Sequence, residues 1–116
     1  DMNGLHAIQK EQLSVTIILI NNEGGGIFSF LPQHNDKAHF ESLFGTPLNI
    51  DFKHAAHLYN ADYAHVRTID EFTKCYKQAL EQKGLTIIEV QTNREENMYW
   101  HKAKWAEIHD RLSQME

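Results

Sequence analysis

The chain has 116 residues, a formal net charge of −5 and one cysteine, with 41% hydrophobic and 23% charged residues. That bounds it to one domain with one modest core, and the lone Cys75 rules out an internal disulfide. Its 11 Lys and Arg residues are scattered, which excludes a nucleic-acid surface, and its apolar runs are too short for a membrane span.

Residues 2–11 predict a short helix with Leu5, Ile8 and Met2 turned inward. Residues 15–20 are apolar and β-branched, the pattern of a parallel strand covered on both faces. Asn21 and Asn22 stop that run, and Gly24, Gly25 and Gly26 follow, then Ile27, Phe28, Phe30 and Leu31. Residues 21–35 read as one long loop whose apolar side chains need a cover. Without binding partners, residues 23–36 are expected to be mobile or misplaced. Residues 37–44 predict a short helix with Ala38, Leu43 and Phe44 on one side, broken by Gly45-Thr46-Pro47.

Asp51 is placed to cap a helix running to Tyr59, with Phe52, Ala55, Ala56 and Tyr59 on one face. Residues 63–66 predict a strand. Thr68-Ile69-Asp70-Glu71 has the form of a capping box. The helix behind it puts Ile69, Phe72, Tyr76, Ala79 and Leu80 on one face and is stopped by Gly84. Residues 85–90 predict another buried strand. Residues 95–114 predict a final helix with an apolar stripe of Met98, Trp105, Ile108, Leu112 and Met115. In this reading Trp105 packs and Trp100 lies at an interface.

The alternation of these elements predicts an α/β fold in three layers around a mainly parallel sheet. Three strands leave open sheet edges. The opening Asp1-Met2-Asn3-Gly4 reads like the interior of a longer chain, so an excised part of a domain is expected.

The chemistry concentrates after the first strand. Asn side chains offer neutral oxygens that suit a hard cation, and glycines let a backbone approach a diphosphate closely. The same three glycines fit a flexible hinge equally well. His34 with His39, and His54 with His57, have neither a cysteine partner nor a catalytic Glu at zinc spacing, so they read as partly exposed histidines, as do His101 and His109. Cys75 reads as a helix residue rather than a nucleophile. Arg94 follows the last strand, where a guanidinium could clamp a substrate carboxylate. The favoured reading is a helix-start arginine paired with Glu95 or Glu96.

The run Asn21-Asn22-Glu23-Gly24-Gly25-Gly26-Ile27-Phe28-Ser29-Phe30-Leu31-Pro32 resembles the diphosphate-binding domain of thiamine-diphosphate enzymes. Phe40 through Pro47, Ile88-Glu89-Val90 and Asn93 through Asn97 extend the resemblance over nearly the whole chain, toward the thiamine-diphosphate enzyme family of menaquinone biosynthesis. The resemblance implies that residues 1–116 are the C-terminal part of the diphosphate-binding domain. It implies a transferase that decarboxylates 2-oxoglutarate and adds the succinyl-semialdehyde carbanion to isochorismate. Thiamine diphosphate would be the cofactor, with Mg²⁺ or Mn²⁺, in a cytoplasmic homo-oligomer. It places Asn22, through its side chain, and Gly24, through its carbonyl, on the metal. Asn22, Gly24, Gly25, Gly26 and Ile27 would lie against the cofactor, and Ile27 and Phe28 beside the substrate. Asn21 would support the loop. No residue here takes a catalytic role, because the cofactor-activating glutamate belongs to a separate pyrimidine-binding domain.

In that family a Gly-Asp dipeptide upstream supplies a further metal ligand, and Asp1 is too close to Asn21 to be it. The chain alone is therefore expected neither to turn over substrate nor to bind cofactor tightly. The alternatives are another thiamine-diphosphate enzyme, of the acetolactate-synthase or 2-oxoacid decarboxylase kind, and a non-catalytic flavodoxin-like binding module.

Overall fold

The computed structural model describes residues 2–115; Asp1, discounted above as a metal ligand, lies outside the described residues. The elements run α1 (Met2–Lys10), β1 (Val15–Asn21), α2 (Phe52–Leu58), β2 (Asp62–Val66), α3 (Ile69–Glu81), β3 (Leu85–Gln91) and α4 (Arg94–Ser113). Two 3-10 turns, Gly26–Phe30 and Pro32–Asn35, and a π-helical turn, Glu41–Gly45, lie between β1 and α2. The chain divides into two compact units. The first is built from the chain up to Asn21 and Asn49–Gln91, the second from Asn22–Leu48 and the chain from Thr92 onward.

The first unit carries the sheet. Its three strands are all parallel, in the order β1-β3-β2. The register pairs Ile18 with Ile88 and Ala64 with Ile88, so β3 is the central strand. Residues Leu85 to Glu89 of β3 are all buried, as a strand covered on both faces requires. On one face Leu85 and Ile87 pack with Ala56 and Ala61, joined by Leu5, Ile8, Tyr59 and Tyr63. On the other, Ile88 packs with Val66 and Ala79, joined by Phe72, Cys75 and Val90. The expected layered α/β arrangement is therefore present, and Cys75 is a packing residue.

Local signals set the helix boundaries. The Asp51 side chain accepts from Lys53 N and caps α2. Thr68 and Glu71 form the full capping box: Thr68 Oγ1 accepts from Glu71 N, and the Glu71 carboxylate accepts from Thr68 N and Arg67 N. Those backbone bonds hold the Glu71 carboxyl below its ordinary range. Thr68→Ala is expected to destabilise the protein by about 1 kcal/mol, read as a lower midpoint in chemical denaturation; an unchanged midpoint would show that the box contributes nothing.

Several sequence expectations are corrected. Strand β1 is not covered on both faces: Val15, Ile17 and Leu19 pack against the first cluster, whereas Ile18 and Ile20, on the opposite face, are 43% and 60% exposed. Met2 stays half-exposed, leaving Leu5 and Ile8 to make the α1 contact. The buried face of α3 is Phe72, Cys75 and Ala79, while Ile69 and Leu80 are exposed. At 3.6 residues per turn these two sit roughly a quarter-turn off that face.

In the second unit the expected loop at residues 21–35 is instead structured by its two 3-10 turns. Residues 37–44 do not form the expected helix. Residues 37–39 form a turn and Glu41–Gly45 a π-helical turn, so no continuous α-helical face exists: Phe40 is buried, whereas Leu43 and Ala38 are exposed. Helix α4 begins at Arg94, capped by Asn93 Oδ1, which accepts from Glu95 N and Glu96 N. Of its apolar stripe only Met98 is buried; Trp105, expected to pack, is 68% exposed. No helix among the described residues is long and apolar enough to cross a membrane.

Candidate functional site

Asn21 ends β1, and its register partner is Gln91 at the end of β3. Its Nδ2 donates to Glu89 Oε1 at 2.7 Å. The other carboxylate oxygen of Glu89 accepts from the Tyr63 hydroxyl. Glu89 is buried, and these two donors satisfy its carboxylate. Burial, with Glu89 beside it, pushes the Tyr63 hydroxyl well above its ordinary range. Asn21 is thus held from within the sheet.

Asn22, the next residue, belongs to the second unit. Its Oδ1 accepts from Gly24 N at 3.2 Å, an Asx turn that bends the chain. Gly24 has φ +137°, and a Cβ there would run into the Gly45 carbonyl oxygen. Gly25 N donates to that same carbonyl at 2.8 Å, and a Cβ on Gly25 would lie 2.7 Å from the Phe44 carbonyl oxygen. The glycine loop therefore lies flat against the backbone of the Glu41–Gly45 turn. Phe28 meets Phe44 with ring centroids 5.5 Å apart, whereas Ile27 is 69% exposed.

Arg94 closes this arrangement. Its Nε donates to the Asn22 carbonyl at 3.0 Å and its Nη2 to Glu41 Oε2 at 2.7 Å. The expected pairing of Arg94 with Glu95 or Glu96 is replaced by Glu41. Arg94 is the first residue of α4, and its side chain reaches Glu41 of the preceding π-helical turn rather than a carboxylate of its own helix. Glu95 lies instead near His34 and Lys37.

The oxygens present suit a hard divalent cation in part. An amide oxygen has two lone pairs, so the Asn22 Oδ1 that accepts from Gly24 can still coordinate a metal. The Gly24 carbonyl, two residues on, is a second neutral oxygen of the kind such cations take. Among the described residues no group of three or more His, Cys, Asp or Glu could hold a metal. The N–H groups of Gly24 and Gly25 both donate within the unit. Contact between these two glycines and a diphosphate would therefore come through close backbone approach rather than N–H donation. The residues fit part of a cation and diphosphate site.

An asparagine turn after a parallel strand, a glycine loop and a layered α/β fold together define a class of cofactor-binding domain. Residues 2–90 match the thiamine pyrophosphate enzyme, C-terminal TPP binding domain, and the chain belongs to that family. Its relatives include the 2-succinyl-5-enolpyruvyl-6-hydroxy-3-cyclohexene-1-carboxylate synthase of Oceanobacillus iheyensis, 52% identical over 97% of this chain. The synthase of the same name from Listeria monocytogenes serotype 4b is 49% identical over 100% of the chain, and that of Bacillus cytotoxicus 45% over 97%. The chain spans about a fifth of the length of these relatives, 19% in the first and 20% in the other two. The family match separates the chain from a flavodoxin-like module.

Of the residues singled out from sequence, Asn22, Gly24, Gly25, Gly26, Ile27 and Phe28 fall in one short segment of the second unit. Gly26 lies close to the Asn22 side chain, since a Cβ there would sit 2.9 Å from Nδ2. Sequence reasoning missed Glu41 and the role of Gly45, which read only as a helix residue and a helix breaker. It also missed Glu89 and Tyr63. A Glu within an otherwise apolar strand, Ile87-Ile88-Glu89-Val90, was the available signal, since a buried carboxylate needs partners.

Proposed function

We propose that residues 1–116 are the diphosphate-side, C-terminal part of a 2-succinyl-5-enolpyruvyl-6-hydroxy-3-cyclohexene-1-carboxylate synthase. The full enzyme decarboxylates 2-oxoglutarate and transfers the remaining four-carbon unit to isochorismate. The observation that carries this reading is the 52% identity over 97% of the chain to a synthase of that name. The turn of Asn22 and the glycine loop supports it from the side of chemistry. Asn22 Oδ1 and the Gly24 carbonyl would hold Mg²⁺ or Mn²⁺, and Gly25, Gly26 and Ile27 would line the diphosphate. When bound, thiamine diphosphate supplies the electron sink for loss of carbon dioxide from a 2-oxo acid. Ile27 and Phe28 contribute an apolar wall that excludes water from the reacting atoms. The reading carries with it a homo-oligomeric enzyme of the cytoplasm.

The test compares donors in the full-length polypeptide that carries this chain. With isochorismate as acceptor, 2-oxoglutarate is expected to exceed pyruvate by at least about 100-fold in kcat/KM, because a site that pairs a second carboxylate rejects a donor lacking it. Equal use of pyruvate would assign the chain to an acetolactate-type enzyme instead.

A further inference from the structure

We propose that Arg94 is the positioning residue of the cation loop, fixing the direction in which Asn22 presents its side-chain oxygen. The proposal rests on the reading of Asn22 as a cation ligand. The Arg94 side chain is only 12% exposed. A guanidinium holds its donors in one rigid plane. With Nε on the Asn22 carbonyl and Nη2 on Glu41, that plane locks the Asn22 main chain to the Glu41–Gly45 turn. The Asn22 side chain is held separately, through Gly24 N. The two oxygens of Asn22 thus accept from different donors, the carbonyl from Arg94 and the side chain from Gly24. The turn in its place receives Gly25 N at the Gly45 carbonyl, so the contacts close into a ring.

Three features point to a built support rather than a chance surface pair. Gly45 is buried, and a Cβ there would run into Arg94 Nη1 and lie 2.7 Å from Glu41 Oε2. The guanidinium thus occupies the space that a side chain at position 45 would need. Arg94 Nη1 is itself buried, so the guanidinium is packed into the unit rather than lying on its surface. Glu41 brings a negative charge to the guanidinium, which offsets the repulsion a bare cation would exert on a metal bound to the same loop. With Nε on Asn22 and Nη2 on Glu41, two of the guanidinium's three nitrogens are spent on positioning the loop rather than on a substrate carboxylate. Lysine cannot replace Arg94, because a single ammonium cannot reproduce the planar fork that spans both acceptors.

The experiment titrates Mg²⁺ into the full-length polypeptide at fixed thiamine diphosphate, with binding followed by tryptophan fluorescence and by calorimetry. Arg94→Lys and Arg94→Met are expected to raise the apparent Mg²⁺ dissociation constant by about 10–100-fold, the usual effect of losing a residue that orients a ligand. Saturating Mg²⁺ should restore kcat in Arg94→Lys, with the KM values of both substrates changed by less than about twofold. Unaltered Mg²⁺ affinity with a raised substrate KM would overturn the proposal and make Arg94 a carboxylate clamp. If Arg94→Met fails to fold, Arg94→Lys decides the matter alone. Asn22→Ala separates this proposal from the reading beneath it. Intact Mg²⁺ binding in Asn22→Ala would remove the cation-ligand reading; lost binding there, with normal binding in Arg94→Lys, would remove only the role of Arg94.

Discussion

Replacing Gly24 with alanine is expected to be among the most damaging single changes in the chain. Two independent costs combine at that position. The φ of +137° lies in a region that side chains disfavour, which costs about 1–3 kcal/mol. The new Cβ also points into the Gly45 carbonyl oxygen, a backbone atom that cannot rotate away. Relieving such overpacking typically costs a further ~1–3 kcal/mol. The substitution therefore pushes the glycine loop off the Glu41–Gly45 turn and threatens the Gly25 N–H bond to the same oxygen. In the full-length polypeptide, Gly24→Ala should lower the unfolding midpoint and weaken thiamine diphosphate binding together. Gly4 is the contrast: it lies within helix α1 and a Cβ there meets nothing within 4 Å, so Gly4→Ala should leave stability unchanged or raise it by up to about 1 kcal/mol. Equal, small effects at both positions would show that the two turns do not pack as described.

The second large effect is expected at the centre of the sheet. Ile88 is 0% exposed and packs with Val66, Ala79, Ala64, Phe72 and Cys75. Truncation to alanine removes buried methylene surface and leaves a cavity, a loss of about 2–5 kcal/mol. Against a total stability of roughly 5–15 kcal/mol for a domain, that is a large fraction. Ile18, its register partner on β1, is the contrast: it is 43% exposed, so Ile18→Ala should cost markedly less. Denaturant midpoints for the two variants check the difference. A loss at Ile18 as large as at Ile88 would mean that another element covers the open face of β1.

What could be read in advance follows a physical line. The caps at Asp51 and Thr68 were legible because each depends on residues within a few positions of one another. Strand β3 was legible because its largely apolar, β-branched run demands cover on both faces, whereas the same pattern in β1 named a strand but overstated its cover. The segment proposed to meet a cation was marked as a linear motif, with Asn22, Gly24, Gly25, Gly26, Ile27 and Phe28 in one run. Where helical periodicity was asked to name the buried face, it succeeded for α2 and was off by part of a turn for α3. A stripe such as that on α4 records which residues are apolar, and says nothing of what covers them.

The residues that hold the loop were out of reach for a different reason. Arg94 meets Asn22 and Glu41 from 72 and 53 positions away, and Glu89 meets Asn21 across 68. Nothing local marks such partners, because a hydrogen bond between distant residues exists only once the chain has folded. The π-helical turn at Glu41–Gly45 is of the same kind: packing against the glycine loop accompanies a backbone form that propensity does not encode. Composition, periodicity and short motifs thus determined the layered parallel fold and singled out the segment proposed to meet a cation and a diphosphate. Tertiary structure alone decided which side chains aim and support that segment, since long-range pairing is a property of the folded shape and not of neighbouring residues.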